Sequence, residues 1–198
     1  MIWHFLHDQL YSDFDIPSSE LDVTVLPKFN GKISIFYSAI ATFHSPSDVS
    51  DITGMHWEHI QATPSWRNKT AHYDCIFVNS NPELDGMHGL EVAHVMTFFS
   101  FVHEGKEYPC ALIHWFSHIG NTPNEDTGMW EVEPSYISNK PHLHIIHIDT
   151  IYHAAHLIPV YQTSCFIAQS LTMNKTLNTF NRIYVNKFVD HHAFVIAS

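Results

Sequence analysis

The residues best suited to chemistry are histidines and carboxylates. His147-Ile148-Asp149 is an H-x-D pair. With His191 or His192 downstream it has the spacing of a two-histidine, one-carboxylate iron site on a β scaffold. His153 and His156 add imidazoles three residues apart. One reading is therefore a His-rich metal-dependent enzyme, with non-haem iron or zinc at His147, Asp149 and His191. Against it, 18 His in 198 residues produce an H-x-D by chance, and little chain follows to complete a jelly roll. Asp126-Thr127-Gly128 spells the aspartic-protease tripeptide, in which paired carboxylates share a proton. There an apolar strand leads into the motif. Here polar residues 121–125 lead in and bulky Met129 follows, which reads as a loop turn. No G-x-S-x-G elbow, C-x-x-C pair or phosphate-cradling Gly loop is present. No catalytic residue and no cofactor is assigned.

Trp66, Arg67 and Trp115 are candidates for contact with a partner, because tryptophans beside an arginine suit a peptide groove. Trp130, inside an alternating run, reads as core.

The elements that must position these residues are mostly strands. Lys32–Phe43 is one long β-favouring run whose alternate apolar residues fall on one face. Residues 44–72 read as a long loop with one helical turn. Residues 73–79 form a short buried strand. Two β-rich runs, 90–103 and 106–118, flank Glu104-Gly105 and predict a hairpin with its turn at 104–106. Pro109 belongs near the start of the second strand or at a bulge. Residues 129–133 and 142–148 alternate as strands, 150–156 suits a short helix, and 157–161 a last strand. Leu177, Phe180, Tyr184 and Phe188 recur at helical spacing and predict an amphipathic helix over about 174–190. The expected architecture is mainly β (α+β): a small, partly open SH3-like β-barrel over 31–165, a loosely structured N-terminal arm over 1–30, and a helical appendage over 166–198 packed on the barrel.

Charge and composition narrow the partners. Hydrophobic residues are 45% and aromatics 14%, enough for a core, and charged residues only 15%. The 9 Lys and Arg against 20 Asp and Glu give −11, so direct nucleic-acid binding through a basic surface is not expected. The three cysteines (Cys75, Cys110, Cys165) are far apart, and buried reduced thiols are expected. The start of the chain does not read as a signal peptide, and no run is apolar enough to span a membrane. An intracellular protein of undetermined oligomeric state is expected.

Several stretches together resemble a known family. They are GKISIFYSAIATFHSPSD (31–48), ITGMHWEHIQATPSWRN (52–68), AHYDCIFVNSNPELDGMHGLEVAHVMTFFSF (71–101), EYPCALIHWFS (107–117), EDTGMW (125–130), IIHIDTIYHAAHLIPVY (145–161) and YVNKFVDHHAF (184–194). In this order they resemble the C-terminal region of proteins encoded by Plavaka/KDZ-type DNA transposons of mushroom-forming fungi. The resemblance runs from about 30 to 198 and excludes that family's transposase domain. It implies a transposon-derived, non-catalytic accessory domain, a decayed fragment of a larger protein. Such a domain would be nuclear and serve a protein partner in a transposition or chromatin complex. It carries no catalytic residue over.

The departures from the family pattern are chemical. Basic residues, mostly Arg, stand in the family where this chain has His56, Trp57, His59, Gln61, His72, His88, His94, His118 and His153. One C-to-T change on either strand turns a CGN arginine codon into His, Gln, Trp or Cys. Decayed arginines of this origin are expected to be mostly exposed and scattered. The order of the later strands is also similar to a bromo-adjacent-homology barrel, which suggests a chromatin or peptide reader as a further alternative.

Overall fold

The computed structural model of the chain describes residues 1–11, 16–44, 55–66, 70–161, 176–177 and 179–197. Within these, the strands in chain order are β1 (Ile33–Phe36), β2 (Ser38–His44), β3 (Met55–Thr63), β4 (His72–Tyr73), β5 (Cys75–Asn79), β6 (Leu90–His103) and β7 (Lys106–His118). They continue as β8 (Glu131–Pro134), β9 (Tyr136–Ile137), β10 (Lys140–Pro141), β11 (Leu143–His147), β12 (Ile151–Ala155), β13 (Leu157–Pro159) and β14 (Ile183–Val185). Helices α1 (Ile2–Leu10) and α2 (His191–Ile196) stand at the two ends. The fold is mainly β: a nearly closed, barrel-like sheet with a C-terminal helix. No described helix is long and apolar enough to cross a membrane.

The β6–β7 hairpin is the spine. Glu104 (φ 51°) and Gly105 (φ 80°) form its two-residue turn, with His103 paired to Lys106. Two successive positive φ angles are the geometry that matches strand twist, and Gly supplies one without strain. Each long strand has two further neighbours in succession. β6 pairs β5 through residues 90–94 and β1 through 98–101. β7 pairs β11 through 110–114 and β8 through 116–118. The sheet runs β12-β5-β6-β7-β8-β14-β13. A register shift between Val95 and Thr97 makes Met96 an extra residue, which bends β6 as it passes along three parts of the core. Leu90 and Val92 pack with Phe77, Phe116, Trp130 and Val132. Val95 and Phe98 pack with Ile60, Ile76 and Ile113. Phe99 and Phe101 pack with Phe5, Leu6 and Tyr108. Pro109 sits on β7 one residue before its pairing with β11 begins, where a missing N–H costs least.

Several expectations need correction. The N-terminal arm is not loose: α1 buries Phe5 and Leu6, and Phe5 meets Phe101 and Tyr108 edge-on at 6.3 and 6.2 Å. The run at 32–43 is two strands. β1 belongs to β6, whereas β2 turns away to pair β3, and Ile33, Ile35 and Tyr37 are exposed. Within 44–72 lies the nine-residue strand β3, whose open face holds Trp57, His59 and Gln61 while Ile60 and Ala62 are buried on the other. Polar residues along its open face disguised it. Residues 151–155 are strand β12 rather than helix, because β5 offers a free edge and takes them antiparallel with a bulge. The predicted helix over 174–190 partly lies outside the described residues. Of its described residues, 176–177 and 179 are helical, and Leu177 and Phe180 pack on the core; β14 follows, with Ile183 and Val185 buried between β8 and β13. The true terminal helix begins after Asp190, whose side chain accepts the Ala193 N–H at 2.7 Å.

Cys75 and Cys110 are buried and unpaired. Burial pushes the Cys110 thiol up to about 12, and that of Cys75 upward as well. Cys165 lies outside the described residues.

The strand assignment at 183–185 has a direct test. Ile183→Ala removes a fully buried side chain and is expected to cost about 2–5 kcal/mol in a urea denaturation. Phe188→Ala, at a position 59% exposed, is expected to cost about 1 kcal/mol or less. A single helical stripe would instead make both substitutions severe.

Candidate functional site

The C-terminal end of β7 places Trp115 and Phe116 on opposite faces of the sheet. The backbone fixes this corner tightly. The Trp115 N–H donates to the His142 carbonyl (3.1 Å), and the Trp115 carbonyl accepts from Ser135 N–H (2.9 Å). The indole Nε1–H of Trp115 donates to His144 Nδ1 at 3.3 Å. Across from it the loop at 80–89 folds on itself. The N–H groups of Ser80 and Asn81 both donate to the Gly89 carbonyl. Only Gly fits there, since a Cβ would stand 2.3 Å from the Leu84 oxygen and 2.5 Å from that of Asn81. The 3₁₀ turn Gly86–His88 then buries Met87 and sets His88 edge-on to Trp130, ring centres 5.3 Å apart.

Trp130 is held from below by the next residue. Glu131 is buried and accepts from Asn124 Nδ2 (2.8 Å) and from Arg182 Nε (2.7 Å) and Nη2. This ties β8, the 119–128 loop and the segment entering β14 into one unit. Asn124 also accepts the N–H groups of Asp126 and Thr127 and the Thr127 hydroxyl, and Gly128 takes φ 65°. Asp126-Thr127-Gly128 is thus a capped polar turn.

These elements enclose a cleft of about 470 Å³. Trp115, Phe116, Trp130, Met87 and Leu90 supply apolar wall; Glu91, His88, His118, His142, Ser117 and Asn121 supply polar wall. His118, 5.4 Å from Trp130, is held below its ordinary value by burial, which His88 reinforces and the Glu91 carboxylate opposes. His118 is thereby shifted toward its neutral form, and Glu91 brings a carboxylate to the cleft wall. Trp130 Nε1 and His118 Nε2 are buried without a hydrogen-bond partner among the described residues, which leaves the wall with unmet hydrogen-bonding capacity.

Of the residues singled out from sequence, Trp115 lines this cleft. Trp66 does not; it stacks on His72 at 5.5 Å beside β4. Arg67 lies outside the described residues. His147 Nδ1 accepts the Asp149 N–H at 3.3 Å and lies 3.3 Å from the Asp149 carboxylate. His191 is exposed at the start of α2. Among the described residues no three His, Cys, Asp or Glu side chains form a group able to hold a metal ion, so His147, Asp149 and His191 do not make a ligand set. Glu91, His88 and His118 escaped sequence reasoning because they come from separate elements. Their one local signal is the outward alternation of Glu91 at the start of β6.

Comparison with known proteins finds no matching family model, no matching curated relative and no matching solved structure.

The Glu131 clamp is testable. Arg182→Ala leaves a buried carboxylate with one amide partner and is expected to cost about 2–4 kcal/mol by urea denaturation. Adding Glu131→Gln to that variant is expected to restore part of the loss. Equal stability of Arg182→Ala and the native chain would show that the clamp does not hold β8 to β14.

Proposed function

We propose that this chain is a non-catalytic interaction domain, a transposon-derived fragment of a larger nuclear protein, that holds a basic peptide segment of a protein partner in the Trp115–Trp130 cleft. The observation that carries the peptide reading is the cleft itself, whose wall holds aromatic side chains together with the Glu91 carboxylate, on a chain of net charge −11. An ammonium or guanidinium group is attracted both by the aromatic faces and by the carboxylate. The transposon origin rests on the ordered sequence blocks over 30–198. This reading joins the accessory-domain and peptide-reader expectations and uses no metal.

The histidine pattern adds a second, weaker support for origin. His72 Nε2 lies 2.8 Å from Asp74, and His153 Nδ1 lies 3.4 Å from Glu58. Both are positions where an arginine would meet a waiting carboxylate. The expectation of mostly exposed histidines fails, however. His7, His94, His114, His153 and His192 are buried, while His56, His59, His88, His144, His156 and His191 are exposed. Imidazole is small enough to follow a wall inward where guanidinium is not.

Two measurements bear on this. A fluorescent peptide carrying Lys and Arg is expected to bind the full chain more tightly than its norleucine counterpart. Trp115→Ala is expected to weaken that binding by roughly three- to thirtyfold. Binding indifferent to both the peptide's charge and Trp115 would overturn the reading. The cation is also expected to be released in acid as His118, whose proton affinity burial lowers, takes up a proton in the cleft wall.

A further inference from the structure

Three parts of the molecule meet at two buried imidazoles. His153, on β12, is 2% exposed, and His192, the second residue of α2, is 7% exposed. Their ring centres are 4.6 Å apart and their planes nearly perpendicular, at 76°. Phe43 of β2 lies 4.4 Å from each. The two rings differ in what they can do with a proton. His153 Nδ1 faces the Ala154 carbonyl at 2.7 Å and the Glu58 carboxylate at 3.4 Å. Both neighbours are acceptors, so Nδ1 is the protonated nitrogen. Glu58 also accepts the Ala154 N–H at 2.6 Å and so docks β3 on β12. His192 Nδ1, by contrast, is buried with no partner among the described residues.

The charged and titratable surroundings of His192 come from every element packed on it. β3 brings His56 and Glu58, and β12 brings Tyr152 and His153. Its own helix brings His191 and Asp190, and Asp85, at the start of the 3₁₀ turn, lines the same cavity of about 460 Å³. Asp190 is engaged as the helix cap, and Glu58 is engaged by the Ala154 N–H and His153 Nδ1. Burial first, and then His153, hold His192 down at about 4, with His191 and His56 adding to the effect and Asp190 opposing it.

We propose that the His153–His192 contact is an acid-operated joint, in which proton uptake by His192 detaches α2 from β12 and Phe43 while the β6–β7 body stays folded. Ile196 and Ala197, at the end of α2, are buried in the same cluster as Met87 and Leu90, which wall the cleft. Release of α2 therefore uncovers part of that wall. The sign follows from linkage. The detached segment, with an ordinary histidine near 6.5, binds a proton more readily than the docked one. Docking is at full strength above about pH 6.5 and weakens as pH falls toward 4.

Amide hydrogen exchange on the full chain tests this. The helix amides of Ala193, Phe194 and Ala197 all have acceptors. Their protection factors, corrected for intrinsic exchange, are expected to fall by roughly twentyfold between pH 7 and pH 5, while those of β6 fall much less. His192→Phe keeps a planar ring and removes the titration. It is expected to hold its protection within twofold over the same range. His192→Leu serves if the larger ring disturbs packing, and His191→Gln, at an exposed position, is expected to behave as the native chain. Equal loss in native and His192→Phe chains would overturn the joint. So would parallel loss in α2 and β6, or a His192 Cε1–H titration with its midpoint near 6.5.

Discussion

The antiparallel pairing of β6 with β7 is the constraint on which the remaining structure depends. Ten register pairs run from Ala93–Trp115 to His103–Lys106. A ribbon this long cannot be satisfied by one neighbour on each side, so each strand is shared between two. β5 and β1 take successive halves of β6, and β11 and β8 take successive parts of β7. Where β7 passes from β11 to β8, the sheet opens a corner. Trp115 and Phe116 stand at that corner, one on each face, and the cleft forms there. The bend that makes the corner accessible comes from the extra residue Met96. The site is a consequence of handing an over-long strand from one partner to another.

What was legible in the sequence follows the same logic. The hairpin could be read because both its signals are local: β-rich runs and a Glu-Gly turn able to take positive φ. The strands that could not be read depend on tertiary partners. β3 carries polar side chains on its open face, and β12 has the helix-compatible sequence Ile-Tyr-His-Ala-Ala but meets a free β5 edge. At the C-terminus the spacing of Leu177, Phe180 and Tyr184 suits a helix. The burial of Ile183 and Val185, two apart, suits a strand, and the gap between β8 and β13 decides in favour of the strand. The helix that does form, α2, has only six residues and no periodicity to detect.

The candidate site was legible in one residue. Trp115 was recognisable by type, while its companions come from β6, the 86–88 turn, β8 and the 119–128 loop. No spacing rule links them, because the sheet brings them together. The metal reading failed for the complementary reason. His147 and Asp149 are close because they are two residues apart, and closeness in sequence does not supply the third ligand.

The histidines are best understood by where burial leaves them. An exposed imidazole such as His59 keeps its hydration in either charge state. A buried one acquires consequences, because desolvation opposes its charge and lowers its affinity for protons. His94, His118 and His192 are all displaced in that direction, with burial as the leading cause each time. In His153 a carboxylate and a carbonyl accept the proton at Nδ1, so the ring is anchored. His192 Nδ1 is buried and meets no acceptor among the described residues. One side-chain type thus serves as exposed groups, an anchored core group and one buried group whose Nδ1 meets no acceptor among the described residues. The difference lies in the acceptor each nitrogen meets, and Arg182 marks the contrast: its guanidinium has a buried carboxylate to hold, and it holds β14 to β8.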